Sequence, residues 1–261
     1  RTPAIPRALL AGYSLNGYGF TSCGHDAIDN VGTTERFDDV ANTHTARLDA
    51  TARSRLSGYS LNGYGFTSCG EIISGVPVGT TERFDDITNT QTPRLDASLL
   101  EGRAGYSLNN FGFLSAGGDG TGLEFGTTER FDDVANTYTL RANVNVAREN
   151  LTGYSLNGYG FTSCGVDVTV TNVGTTERFD DIANTQTVRT PATARKYLAG
   201  YSLNGYGFTS CGQDNVGNVG ITERFDDVAD TQTARLDATA RNELTGYSQN
   251  EYFVDYQTME T

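Results

Sequence analysis

The sequence predicts an all-β fold, a β-propeller of about five four-stranded blades followed by part of a sixth. Three observations predict it. The stretch Gly12-Tyr-Ser-Leu-Asn-Gly-Tyr-Gly-Phe-Thr-Ser-Cys-Gly24 returns near Gly58, Gly105, Gly153 and Gly200, and in degraded form at Gly246, so the starts are 46, 47, 48, 47 and 46 residues apart in a chain of 261. Each unit contains four short runs that alternate large with small or polar residues, and no segment carries the 3.6-residue period of an amphipathic helix. Repeats of 40 to 50 residues with four strands each are the pattern of propeller blades, not of helical solenoids.

The elements follow in order. Arg1-Thr-Pro-Ala4 resembles Arg189-Thr-Pro-Ala192, so the chain reads as starting near the end of a repeat, and with Arg1 first and no signal-like apolar segment it reads as a processed or partial chain. Within the first unit, Tyr13-Ser-Leu15 and Tyr18-Gly-Phe-Thr-Ser22 flank Asn16-Gly17. Asn-Gly between two alternating runs predicts a hairpin, because both central residues of a type I′ turn need positive φ. Eight or nine variable residues come next, at 25–32 here and at 71–79, 118–126, 166–174 and 213–220 later. A third strand is expected at Thr33-Thr-Glu-Arg-Phe37, a turn capped by Asx side chains at Asp38-Asp-Val-Ala-Asn42, and a fourth strand at Thr43-His-Thr-Ala-Arg47. One domain over 1–261 is the expectation, each unit supported by its neighbours, with 246–261 as the partial repeat.

The order of these features resembles the kelch repeat. An Arg precedes a Gly-rich inner strand, the second strand ends in Cys-Gly where kelch units carry two glycines, and Glu-Arg-Phe-Asp leads through a turn with Asn to an outer strand. The kelch outer-strand tryptophan is replaced by His44, Gln91, Tyr138, Gln186 and Gln232. The resemblance implies that the first strand of each unit lines the axis and the fourth lies outside. Tyr13, Leu15, Tyr18, Phe20, Phe37 and their equivalents then fill the layers between blades. It also implies partner binding on the face that carries the variable loops, while leaving function open, since propellers of this type serve many roles.

Charge and composition exclude several classes. A formal charge of −13 disfavours nucleic acid and anionic lipid, both of which need a basic face. No apolar run approaches the ~20 residues of a membrane helix. Cys23, Cys69, Cys164 and Cys211 occupy one repeat position, with Ala116 in the third copy, and equivalent positions of separate units lie too far apart for disulfides, so buried free thiols are expected. No cofactor or metal is predicted: the four cysteines lack Cys-x-x-Cys spacing, and Glu35, Asp38 and Asp39 read as salt-bridge and turn-capping groups.

Binding candidates are the arginines ahead of the repeats (Arg7, Arg53, Arg148, Arg195 and Arg241, interrupted by Leu100) and the loop residues His25, Asp26, Glu71, Asp119, Asp167 and Asp214. Guanidinium groups at a channel mouth could hold carboxylates or sugar hydroxyls; the alternative is that they cap carbonyls and pair with acids inside the fold. Two histidines, His25 and His44, without a Ser or Cys partner argue against catalysis. At the C-terminus, Tyr247, Tyr252, Phe253 and Tyr256 are candidate assembly residues. The expected ring has five blades with an appended hairpin; the alternative is a composite sixth blade completed by the N-terminal arm or another chain. The expectation is a non-catalytic module for protein interaction or self-assembly, in an extracellular or cell-surface setting, with a multivalent carbohydrate-binding propeller as the rival. Asn150-Leu-Thr152 is a glycosylation sequon.

Overall fold

In a computed structural model, which describes residues 4–246, the chain forms five four-stranded antiparallel sheets in sequence order, with strands paired first to second, second to third and third to fourth. The first blade comprises Ala11–Leu15, Tyr18–Ser22, Thr34–Asp38 and Thr43–Arg47. Equivalent inner strands are Ser57–Leu61, Ala104–Leu108, Thr152–Leu156 and Ala199–Leu203. Asn16 and Gly17 take φ of 53° and 78°, the conformation the hairpin turn requires.

Register explains why the repeat is aromatic where it is. Tyr13 lies opposite Phe20 across the first hairpin, and their rings stack at 5.3 Å. Phe84, from the third strand of the next blade, meets Phe20 at 5.7 Å. The same trio recurs as Tyr59, Phe66 and Phe131, and as Tyr106, Phe113 and Phe179. Gly65 must lack a side chain, because the Tyr13 ring occupies the place its Cβ would take. Each buried ring contributes about 1.5–3 kcal/mol before entropy, so these layers dominate the energetics between blades. Tyr18 and its equivalents differ from expectation: they are half-buried, and Arg36 covers the Tyr18 ring at 4.3 Å.

A second lattice, of charge, joins successive blades. Asp86 receives both Arg36 and Arg47 of the preceding blade, Asp133 receives Arg83 and Arg94, Asp181 receives Arg130 and Arg141, and Asp227 receives Arg178 and Arg189. Outer-strand glutamines reach back too: the Gln91 amide donates to the Leu48 carbonyl at 3.3 Å. The four cysteines are free and buried.

Around the axis, the fifth blade does not meet the first directly. Leu9 N–H donates to the Glu243 carbonyl at 3.3 Å, a Cβ on Gly12 would collide with Thr245, and one on Gly246 would meet the Gly200 carbonyl. Residues 243–246 therefore stand in the ring as the first turn of a sixth position. The five four-stranded blades expected from the repeat are all present, and residues 243–246 lie between the fifth and the first. Tyr247, Tyr252, Phe253 and Tyr256 lie outside the described residues.

Candidate functional site

Three residues before each repeat glycine, the backbone turns left-handed: Leu9, Arg55, Gly102, Asn150, Tyr197 and Glu243 have φ between 54° and 60°. Their peptide groups form a closed cycle. Arg55 N–H donates to Leu9 O, Gly102 to Arg55, Asn150 to Gly102, Tyr197 to Asn150, Glu243 to Tyr197 and Leu9 to Glu243, at 2.8–3.3 Å. This annulus stands at the end of the central channel where the variable loops gather, since Ala8 bridges His25, Ser54 bridges Glu71 and Lys196 bridges Gln213. Beyond it the channel widens to about 410 Å³ between the Gly-Tyr-Ser segments of the inner strands.

Six similar backbone turns thus carry six different residues, five with side chains and one a glycine. Around the annulus, Arg55 links two acids, with Nε 3.1 Å from Glu71 and Nη1 3.0 Å from Glu101. Burial, reinforced by hydrogen bonding to Glu71, raises the Glu101 carboxyl from its ordinary 4.5 to about 7. Burial also raises Glu149 and the Tyr197 phenol. The mouth is a mixed-charge surface in which acids outnumber bases, and Glu101 keeps its proton to higher pH than an ordinary glutamate.

The arginines expected at this mouth are elsewhere, and their assignment as ligand-binding groups is corrected. Arg53, Arg148 and Arg195 are fully buried. Arg53 donates to the Cys69 and Thr51 carbonyls, to Thr67 Oγ1 and, at 2.6 Å, to Glu82. Arg148 and Arg195 do the same with Glu177 and Glu223, and Arg7 with Glu35 at 3.0 Å. A guanidinium whose donors are committed to strand carbonyls and a carboxylate is a staple between strands, not a ligand site. The third blade, expected to lack this group, has it: Arg103 enters from two residues before Gly105 and pairs with Glu129 and the Ala116 and Leu114 carbonyls. Arg241 is exposed.

Of the loop residues, Asp26, Asp119, Asp167 and Asp214 each accept backbone N–H groups from their own loops, two to four residues on. Those bonds hold Asp26 and Asp214 below the ordinary carboxylate range, and the Thr121 and Thr169 hydroxyls do so for Asp119 and Asp167. They form the loops. His25 Nδ1 lies 3.2 Å from Asn30 Oδ1, and only Glu71 belongs to the central cluster. Asn150 is buried, with its Nδ2 donating to Glu149 at 2.9 Å, so the sequon is closed to modification in this fold. Among the described residues, no group of three or more His, Cys, Asp or Glu side chains is placed to hold a metal.

Sequence reasoning missed Arg55, Glu101, Glu149 and Tyr197. The signal was present as two adjacent hypervariable columns, three residues (Arg55, Tyr197) and four residues (Glu101, Glu149) before the repeat glycine, flanked on their C-terminal side by near-identical residues.

No protein-family model and no curated protein matches the sequence. Among solved structures 341 chains match, and a fold shared that widely does not select a function. A structure of YjhT aligns with a TM-score of 0.77 over 90% of this chain and 85% of that one, at 11% identity. A likeness at that identity is one of fold alone.

Proposed function

We propose that the chain is a non-catalytic interaction module whose partner, a different protein or a further copy of itself, seats on the variable-loop face. One observation supports this above others. Every variable loop exposes aliphatic side chains: Ile28, Ile73, Leu123, Val168, Val170 and Val216 are all more than half accessible, around a mouth of mixed charge. Exposed aliphatic side chains gathered on one face mark an interaction surface, and loops there differ between blades without disturbing the shared core. The perturbed Glu101 fits the same reading, because its proton is explained by burial and by its place beside Glu71.

The test is capture from the native source by immobilised full-length chain. A triple variant, Ile28→Asp, Ile73→Asp and Val170→Asp, should lose the captured partner while keeping its melting temperature. The opposite face provides the control, since Val40, Ile87 and Val134 are at least as exposed on the turns between third and fourth strands. Loss of capture only when those three are changed, or retention by the loop variant, would sink the proposal.

A further inference from the structure

The closed cycle of turns decides which sign of charge the channel mouth can hold. Each annulus N–H is spent on the carbonyl of a neighbouring turn, so these peptide groups offer an anion no free donor. The two cations at the mouth are engaged as well: Arg55 pairs with Glu71 and Glu101, and the Lys196 ammonium lies 5.1 Å from the centre of the Tyr197 ring. Carboxylates are in excess, with Glu149 beside this group and Glu124 and Glu243 bordering it. A ligand that enters here is recognised by acceptors.

Glu101 is the most deeply placed of these acids, only 3% exposed. Its main chain pairs in both directions with Gly118, at 2.9 and 3.0 Å, and Gly118 is the one glycine in a column that otherwise holds His25, Glu71, Val166 and Gln213. Glu149 Oε2 occupies the place a Cβ on Gly118 would take, and its charge is felt at Glu101. Glu101 Oε1 accepts from Arg55 Nη1 at 3.0 Å. Oε2 is buried too, and among the described residues no donor faces it. A buried carboxylate oxygen without a donor costs free energy that a positively charged group recovers. In the chain alone a proton serves: burial and, after it, hydrogen bonding to Glu71 raise the Glu101 carboxyl to about 7.

We infer that the mouth binds the charged head of an organic cation, a primary ammonium or a guanidinium, which donates to Glu101 Oε2 and lies between it and the carboxylates of Glu71 and Glu149. Such a head brings several donors and no acceptor, the complement of what the mouth presents. A metal ion fits less well, because it needs several oxygens converging at about 2.3–2.6 Å, and among the described residues no three acidic, Cys or His side chains converge. The Tyr197 ring, which already carries one ammonium, supplies an aromatic flank where cation–π attraction adds to the carboxylates. Where Glu101 is protonated, binding releases that proton to solvent as its oxygen accepts the cation's N–H, so one positive charge replaces another. Glu71 and Glu149 raise, and Arg55 lowers, the pH at which this exchange occurs. The inference needs the mouth and not the aliphatic loops, so it does not rest on the loop-face reading.

The probe is dansylcadaverine, a fluorescent primary amine, titrated with the full chain and followed by anisotropy. Saturable binding is expected, at least about tenfold weaker for the N-acetylated probe, which keeps the dye and carbon chain but not the charge. Affinity should rise about tenfold from pH 6 to pH 8, because Glu101 must ionise to accept while the amine stays protonated. Glu101→Gln, isosteric with the protonated carboxyl, should bind about tenfold more weakly at pH 8 and lose the rise. Equal binding of the acetylated probe, no saturation at millimolar probe, or a wild-type affinity that is flat or falls over this window overturns the inference. So does a Glu101→Gln chain with the wild-type pH profile, and the wild-type profile itself needs no variant to fold. Competition by a capped Gly-Gly-Lys-Gly-Gly peptide sorts the sources of the ammonium: displacement admits a lysine side chain of a protein, no displacement restricts the site to free amines, and either result supports a cation site. The Ile28, Ile73, Val170 triple variant should still bind the probe, so failure of partner capture and failure of cation binding are distinguishable.

Discussion

Arg53 Nη1 lies 2.6 Å from Glu82 Oε2, with the arginine fully buried and the rest of its donors on strand carbonyls and Thr67. Breaking such a pair from one side leaves an unpaired charge where water does not reach. Arg53→Ala is therefore expected to cost about 3–5 kcal/mol in urea denaturation, while Arg241→Ala, the exposed equivalent, stays within about 0.5 kcal/mol. Equal effects at the two positions would show that the pairing does not set stability.

The aromatic layers give a matched comparison. Phe66 is fully buried between Tyr59 and Phe131, so Phe66→Ala should cost about 3–5 kcal/mol. Phe208 occupies the same repeat position but is half-buried, and Phe208→Ala should cost less than half as much. Denaturant midpoints at a common slope measure both.

Stability should depend on pH through Glu101. Its carboxyl titrates at 4.5 when free and at about 7 in the fold, so the folded state holds the proton more tightly. The contribution is full below about 4.5 and is lost as pH rises through about 7. The melting temperature of the wild type, relative to Glu101→Gln, should therefore fall between pH 5 and pH 8. A difference that does not change over this window, or grows with pH, contradicts the assignment.

Thiol chemistry offers a fourth measurement. Burial raises the pKa of Cys23, Cys69 and Cys164, and their Sγ atoms contact carbonyls of the following blade, 3.4 Å to Thr51 O for Cys23. Folded protein should resist iodoacetamide at neutral pH, and all four cysteines should label only in denaturant. Rapid labelling of any of these three without unfolding would contradict the packing.

Much of this architecture could be read from residues alone, because repetition multiplies weak signals. One Asn-Gly pair suggests a hairpin; recurring Asn-Gly hairpins at constant spacing define a blade. The strand Thr43–Arg47 falls where the alternation places it. What could not be read was direction. Arg53 and Arg55 are two residues apart with the same charge, yet one is sealed among strands and the other bridges Glu71 and Glu101 at the mouth. The left-handed φ of 54° at Arg55 separates them, and no residue type announces it. Arg103 shows the complementary limit: a long side chain reaches a vacant slot from a different backbone position, so spacing alone reports a gap that the fold has filled.

The cycle of peptide hydrogen bonds at Leu9, Arg55, Gly102, Asn150, Tyr197 and Glu243 has no first member. The bond from Leu9 to Glu243 is of the same kind as the bonds between consecutive blades, so chain order and spatial order are decoupled there. Cutting the chain at an exposed hairpin such as Asn62-Gly63 and joining residues near its present ends would produce a permuted protein with the same annulus. The annulus therefore treats its six turns alike, whichever of them are neighbours along the chain.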